Sequence, residues 1–119
     1  MAKIMIVDDA AFMRMMLKNT LEEGGHMVIG EAVNGRDAVE KFAELRPEVV
    51  TMDITMPDMD GIEAVRTIMG RHPEARILMC SAMGQQQMVL DAIQAGAKGF
   101  IVKPFNKQKV LEEIERVCG

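Results

Sequence analysis

The chain has no tryptophan, no tyrosine and only four phenylalanines in 119 residues. That removes the aromatic rings that usually surround a bound flavin, and with them the most obvious redox role for a small α/β protein. Cysteine is nearly absent too. Cys80 and Cys118 form no Cys-x-x-Cys pair and have no metal-ligand spacing, so neither a zinc site nor a dithiol motif is written here. Both are expected to be reduced, with Cys80 a small hydrophobe inside an apolar run. No apolar run is long enough for a membrane span, and no charged-then-apolar leader suggests a signal peptide, so a soluble intracellular domain is expected. An excess of basic charge is missing as well. Lys and Arg total 14 against 18 Asp and Glu, and the net charge of −4 argues against nonspecific affinity for nucleic acid.

What is present is enough for a core. Hydrophobic residues make up 49% and charged residues 27%, which excludes a disordered chain. The length fits one domain, residues 1–119, with a folded surface of roughly 6,400 Å² against roughly 19,000 Å² unfolded. The 13 methionines are expected mainly to fill the core where aromatics are missing.

Apolar runs alternate with amphipathic stretches from end to end. Lys3–Val7 reads as a buried strand stopped by Asp8-Asp9. Ala11 to about Glu23 reads as a helix with Phe12, Met13, Met16, Leu17 and Leu21 on one face, ended by Gly24-Gly25. Met27–Ala32 is a weaker strand. Asn34 caps a helix through about Leu45 with Ala38, Val39, Phe42 and Leu45 inward. Val49–Met52 is the third strand, ending at Asp53, and residues 55–61 form a loop by their Pro, Asp and Gly content. A short helix follows with Ile62, Val65, Ile68 and Met69 inward. Arg76–Ser81 is the fourth strand, and Gln85–Ala95 a helix with Val89, Ala92 and Ile93 inward. Gly99–Val102 is the fifth strand, and Asn106 caps a last helix with Val110, Leu111, Ile114 and Val117 inward. Five βα units imply a parallel sheet covered by helices on both faces, because parallel connections need a crossover. The fold class is therefore α/β, a doubly wound five-stranded parallel sheet.

In such sheets, ligands sit outside the carboxyl ends of the strands. The first strand ends in Asp8-Asp9, the third in Asp53, the fourth in Ser81 and the fifth in Lys103-Pro104. Each alone is ordinary: an acidic helix cap, a turn residue, a loop serine, a surface lysine. Together they are not, because neighbouring strands lie only about 4.8 Å apart. Three carboxylates that close raise one another's pKa unless a cation intervenes. A hard divalent ion with oxygen ligands is the natural answer, and the donor set suits Mg²⁺. With Mg²⁺ and Lys103 beside it, Asp53 can attack a phosphoryl donor, and Ser81 and Lys103 can then hold the transferred oxygens.

The motifs Ile6–Asp9 (I-V-D-D), Met52–Gly61 (M-D-I-T-M-P-D-M-D-G), Cys80–Ala82 (C-S-A) and Lys103–Phe105 (K-P-F) resemble the response-regulator receiver domain, in the right order and over the whole chain. The resemblance implies a flavodoxin-like sandwich with strand order 2-1-3-4-5. It implies Asp53 as the phosphorylated residue, Asp9 as a direct Mg²⁺ ligand, Asp8 as a ligand mainly through water, and the Thr55 backbone carbonyl as a further ligand. Ser81 and Lys103 match the family's hydroxyl residue and lysine, and a cis Lys103–Pro104 bond is expected. Phe100 falls at the family's aromatic switch position, where a ring follows the hydroxyl residue inward on phosphorylation.

Within the family, Asp8–Leu17 is most similar to stand-alone chemotaxis regulators. The chain ends soon after its last helix, so output is expected through binding, as a monomer, on the face of the fourth helix, fifth strand and fifth helix. Gln87, Asp91 and Gln94 are expected on that face. The implied partners are a histidine kinase and a flagellar motor switch protein or adaptor, with a phosphatase possible at Met15, which falls on the polar face of the first helix. Thr55 and Met83 flank the approach of a hydrolytic water. The chain is not expected to be an enzyme beyond promoting its own phosphorylation and dephosphorylation. A phosphorelay intermediate is the nearest alternative. A small aspartyl-phosphate phosphatase fits less well, because Thr55 stands where its second acid would be.

Overall fold

Five short apolar segments become strands, and the amphipathic stretches that follow them become helices. The computed structural model describes residues 1–118. In chain order the elements are β1 (Lys3–Val7), α1 (Ala11–Glu23), β2 (Met27–Ala32), α2 (Gly35–Leu45), β3 (Val49–Asp53), α3 (Gly61–Arg71), β4 (Ile77–Ser81), α4 (Gln86–Ala95), β5 (Gly99–Val102) and α5 (Lys107–Cys118). Local chemistry sets the starts of α2, α3 and α5. Asn34 accepts from the Asp37 amide at 2.8 Å, Asp60 from Glu63 at 2.9 Å and Asn106 from Lys109 at 3.1 Å, each meeting an amide that the helix cannot pair.

All strands are parallel, in the order β2-β1-β3-β4-β5 expected from the family resemblance. Register aligns Val7 with Met52, Asp53 with Cys80 and Ser81 with Val102. The carboxyl ends of four strands therefore finish at one level, which is what gathers the rim. Alternate residues feed two cores, as a sheet buried on both faces requires. Met5, Val7, Val50, Met52, Ile77 and Met79 pack with α2, α3 and α4 residues, whereas Ile4, Ile6, Val49, Leu78 and Ile101 pack with Leu17, Leu21, Val110 and Ile114.

Several expectations need correction. Phe12 is 64% exposed, and Met16 is also at the surface; the buried stripe of α1 is Leu17 and Leu21. Phe12 stands about 140° around the helix from Leu17, so the apolar face drawn from sequence was too wide. Ile93 of α4 is exposed, leaving Val89 and Ala92 as the buried pair. Leu45, Ile62, Met69, Leu111 and Val117 lie partly buried at the margins of the two cores. β3 runs through Asp53, β4 begins at Ile77, and Gln85 lies outside α4 as its cap. The methionines divide: Met5, Met52, Met56 and Met79 are buried, whereas Met1, Met15, Met16, Met27, Met83 and Met88 are exposed. Core filling thus accounts for only some of them.

Candidate functional site

β1 and β3 are neighbours in the sheet, and both end in acid. Asp8 and Asp53 are buried and Asp9 is exposed, and a carboxylate oxygen from each lies within 4.8 Å of the others. Lys103 reaches them from beyond β5. Its backbone amide donates to the Ser81 carbonyl at 2.7 Å, which fixes its start beside the end of β4. Its Nζ then lies 3.1 Å from Asp8 Oδ2 and 3.3 Å from Asp53 Oδ1. The Lys103–Pro104 bond is cis, as expected. Ser81 is buried at the end of β4, the strand beside Asp53. The structure therefore brings together Asp8, Asp9, Asp53, Ser81 and Lys103.

The loop after β3 is held close by backbone contacts. Gly61 N donates to the Ile54 carbonyl at 2.8 Å, and a Cβ on Gly61 would fall 2.1 Å from the Asp53 carbonyl oxygen. Only glycine permits that approach. Gly35 N donates to the Met59 carbonyl at 2.9 Å, and Asn34 Nδ2 to Asp58 Oδ2 at 3.3 Å, so the start of α2 braces the same loop. Thr55 is exposed on that loop, two residues past Asp53.

Arg14 is a part of the site that sequence reasoning missed. It neighbours Met15 on α1, yet it is partly buried. Its Nη1 donates to the Asp8 carbonyl at 2.7 Å and its Nε to Glu31 Oε1 at 2.9 Å. Lys41 Nζ donates to the Glu31 carbonyl at 2.6 Å, so β1, β2 and α2 are tied behind the acidic pair. No spacing rule pairs a residue of α1 with the end of β2; only the three-dimensional reach of arginine does.

The electrostatics follow from three carboxylates facing one ammonium. Burial raises the Asp53 pKa above the ordinary carboxylate value, Asp8 and Asp9 add to the rise, and Lys103 opposes it. Burial pulls the Lys103 pKa down, but Asp53 and Asp8 together push it above its ordinary value, so the ammonium stays charged. The negative excess that Lys103 leaves, made of oxygen donors that converge, fits a hard divalent cation such as Mg²⁺. Cys80 lies fully buried under the site, and its thiol is pushed far above the usual range by that burial, so it is inert.

On the far side of Ser81 the surface turns apolar. A groove of about 400 Å³ is lined by Ser81, Ala82, Val89, Leu90, Phe100 and Val102, among others. Phe100 is 46% exposed at its edge, so it is no plain core residue. Met83, Leu90 and Val102, which also line the groove, are exposed, as are Met88 and Ile93 elsewhere on α4. Gln87 and Gln94 are exposed as expected, while Asp91 is partly buried and accepts from Gln87 Nε2 at 3.2 Å. Met15 is exposed on α1.

Residues 4–115 match the model of the response regulator receiver domain, and the chain belongs to that family. Several relatives over nearly full length are named as chemotaxis proteins. It is 60% identical to chemotaxis protein CheY of Thermotoga maritima, covering 97% of this chain and 96% of that one. It is 62% identical to CheY of Bacillus subtilis, covering 98% of each. Among solved structures, the CheX–CheY–BeF3–Mg²⁺ complex from Borrelia burgdorferi matches with a TM-score of 0.92 and 40% identity, over 97% of this chain and 87% of that chain. The chain is thus a two-component response regulator similar to chemotaxis proteins. Among the described residues, no helix is long and apolar enough to cross a membrane.

Proposed function

We propose that this protein is a cytoplasmic chemotaxis switch that takes a phosphoryl group from a histidine kinase onto Asp53 and then binds a flagellar motor switch protein or an adaptor. One observation carries the reading. Asp53 is a buried carboxylate at the end of a strand, flanked by Asp8 and Lys103 and adjoining an exposed apolar surface. Burial and Asp8 hold its pKa up, which strengthens it as a nucleophile, while Lys103 keeps a positive charge within reach of the transferred oxygens. Asp8, Asp9, Asp53 and the Thr55 carbonyl would hold Mg²⁺, which when bound neutralises charge on those oxygens. An Asp53 carboxylate oxygen attacks phosphorus, the phosphorus–nitrogen bond of the phosphohistidine breaks, and the imidazole leaves with its electron pair and takes up a proton. Lys103 and the Ser81 hydroxyl donate to the oxygens of the resulting acyl phosphate.

The apolar surface from Met83 to Val102 favours output by protein docking. Ser81 and Phe100 line one groove, so rearrangement at Ser81 has a direct route to Phe100. Intact mass after incubation with a small phosphodonor tests the chemistry. The expected result is a single Mg²⁺-dependent phosphoryl adduct on the native chain and none on Asp53→Asn. An adduct that persists in the variant overturns the assignment. Transfer of the group onward to a histidine protein, without binding to a motor component, would make the chain a relay intermediate instead.

A further inference from the structure

Gln85 belongs to none of the groups assigned above, yet it spans the mouth of the site. It precedes α4 as the cap residue, but its side chain turns back across the loop. The Ala82 amide donates to Gln85 Oε1 at 2.7 Å, and Gln85 Nε2 donates to Thr55 Oγ1 at 3.2 Å. A backbone N–H can meet only an acceptor, so Oε1 must face Ala82, which leaves Nε2 for Thr55. One carboxamide therefore ties the loop after β4 to the loop after β3. Asp53 ends β3, and Ser81 ends the neighbouring strand, immediately before Ala82.

What Gln85 occupies is what a phosphoryl group on Asp53 would compete for. Such a group brings about −1.5 to −2 charges and three acceptor oxygens. Backbone amides at turns beside a strand end are effective partners for it. A charged oxygen binds an N–H roughly twice as strongly as a neutral carboxamide does. The exchange at Ala82 therefore runs toward the phosphoryl group once that group is present, and it opposes loading until then. Gly84, at φ +89°, lies between Ala82 and Gln85 in a backbone conformation that favours glycine, so the short loop has its hinge in place.

We propose that Gln85 is a latch: in the unmodified protein it holds the Ala82 amide and the Thr55 hydroxyl across the mouth of the site, and it yields the amide when Asp53 is loaded. This rests on Asp53 being the acceptor. Gln85 is a positioning residue, since it acts through Ala82 and Thr55 rather than on the reacting atoms. The contacts are accessible to solvent, which suits a brake that must open; a dry, strong bond there would resist loading altogether.

The test is a beryllium fluoride titration in excess Mg²⁺, read by fluorine NMR on the full chain, because an equilibrium mimic separates loading from hydrolysis. Gln85→Ala is expected to bind beryllofluoride about three- to tenfold more tightly than the native chain, the range of one net hydrogen bond. Its Mg²⁺ affinity is expected to stay close to native, and its melting transition to fall by only the few degrees that one net hydrogen bond is worth. Thr55→Val, which keeps the backbone carbonyl and the side-chain shape but removes the hydroxyl, is expected to give a smaller gain. Equal or weaker binding by both variants overturns the latch while leaving the acceptor reading intact. No binding by the native chain overturns the acceptor reading and the latch with it.

Discussion

The acidic rim and the surface formed by α4 and β5 invert the same folding rule in opposite ways. At the rim, charge is buried: Asp8 and Asp53 lie inside with one ammonium between them. On the surface a few residues away, Met83, Leu90, Ile93, Phe100 and Val102 are exposed. Neither arrangement favours the isolated fold. Buried like charges repel, and exposed apolar area forgoes roughly 25 cal/mol per Å². The two buried layers on either side of the sheet supply the stability that lets both persist. Each departure reports what is missing: the rim has more carboxylates than cations, and under the proposed function the apolar surface is where a protein docks. They meet at Ser81 and the loop that follows it, so a change of charge at one can be read at the other.

The sharpest way to break this contrast is to remove the cation that the rim does have. Lys103→Ala should lower stability at neutral pH by about 2 kcal/mol, because it leaves Asp8 and Asp53 facing each other. Chemical denaturation measures the loss, and added Mg²⁺ should recover part of it. The opposite region can be altered without touching the rim. Leu90→Ala should weaken binding of the loaded protein to the motor component or adaptor proposed as its partner about tenfold, while phosphoryl uptake and stability stay native. Loss of uptake in that variant would show that the two regions are not separable.

A smaller effect has a less intuitive sign. The Asp53 pKa is raised in the folded protein, so its contribution to stability is present at pH below the ordinary carboxylate value and is lost as pH rises through the raised value. At neutral pH without Mg²⁺ the ionised Asp53 is therefore a burden, and Asp53→Asn should melt higher by roughly 3–8 °C, the shift that about 1 kcal/mol produces. The advantage should shrink on acidification as the native carboxyl takes up its proton. Melting curves across that range check both the sign and the trend.

The rim was legible in sequence because parallel topology does the gathering. Once Asp8, Asp9, Asp53, Ser81 and Lys103 are seen to end strands, adjacency follows from strand spacing. Strand order itself came from family resemblance, since periodicity alone does not order parallel strands. Arg14 and Gln85 were illegible for a common reason: each acts by side-chain reach between elements, and no spacing in the chain encodes that reach. Phe12 and Ile93 show that an apolar side chain near a buried helical face need not lie on it. Their exposure is a property of the packed neighbours rather than of the local pattern.

The coupling of the two regions is most directly tested by backbone amide NMR of the native chain during titration with beryllium fluoride and Mg²⁺. Amides at the rim, near Asp53 and Ala82, and amides on the apolar surface, near Leu90 and Phe100, should change together with one dependence on beryllofluoride. Changes confined to the rim, with Leu90 and Phe100 unmoved at saturation, would contradict that coupling.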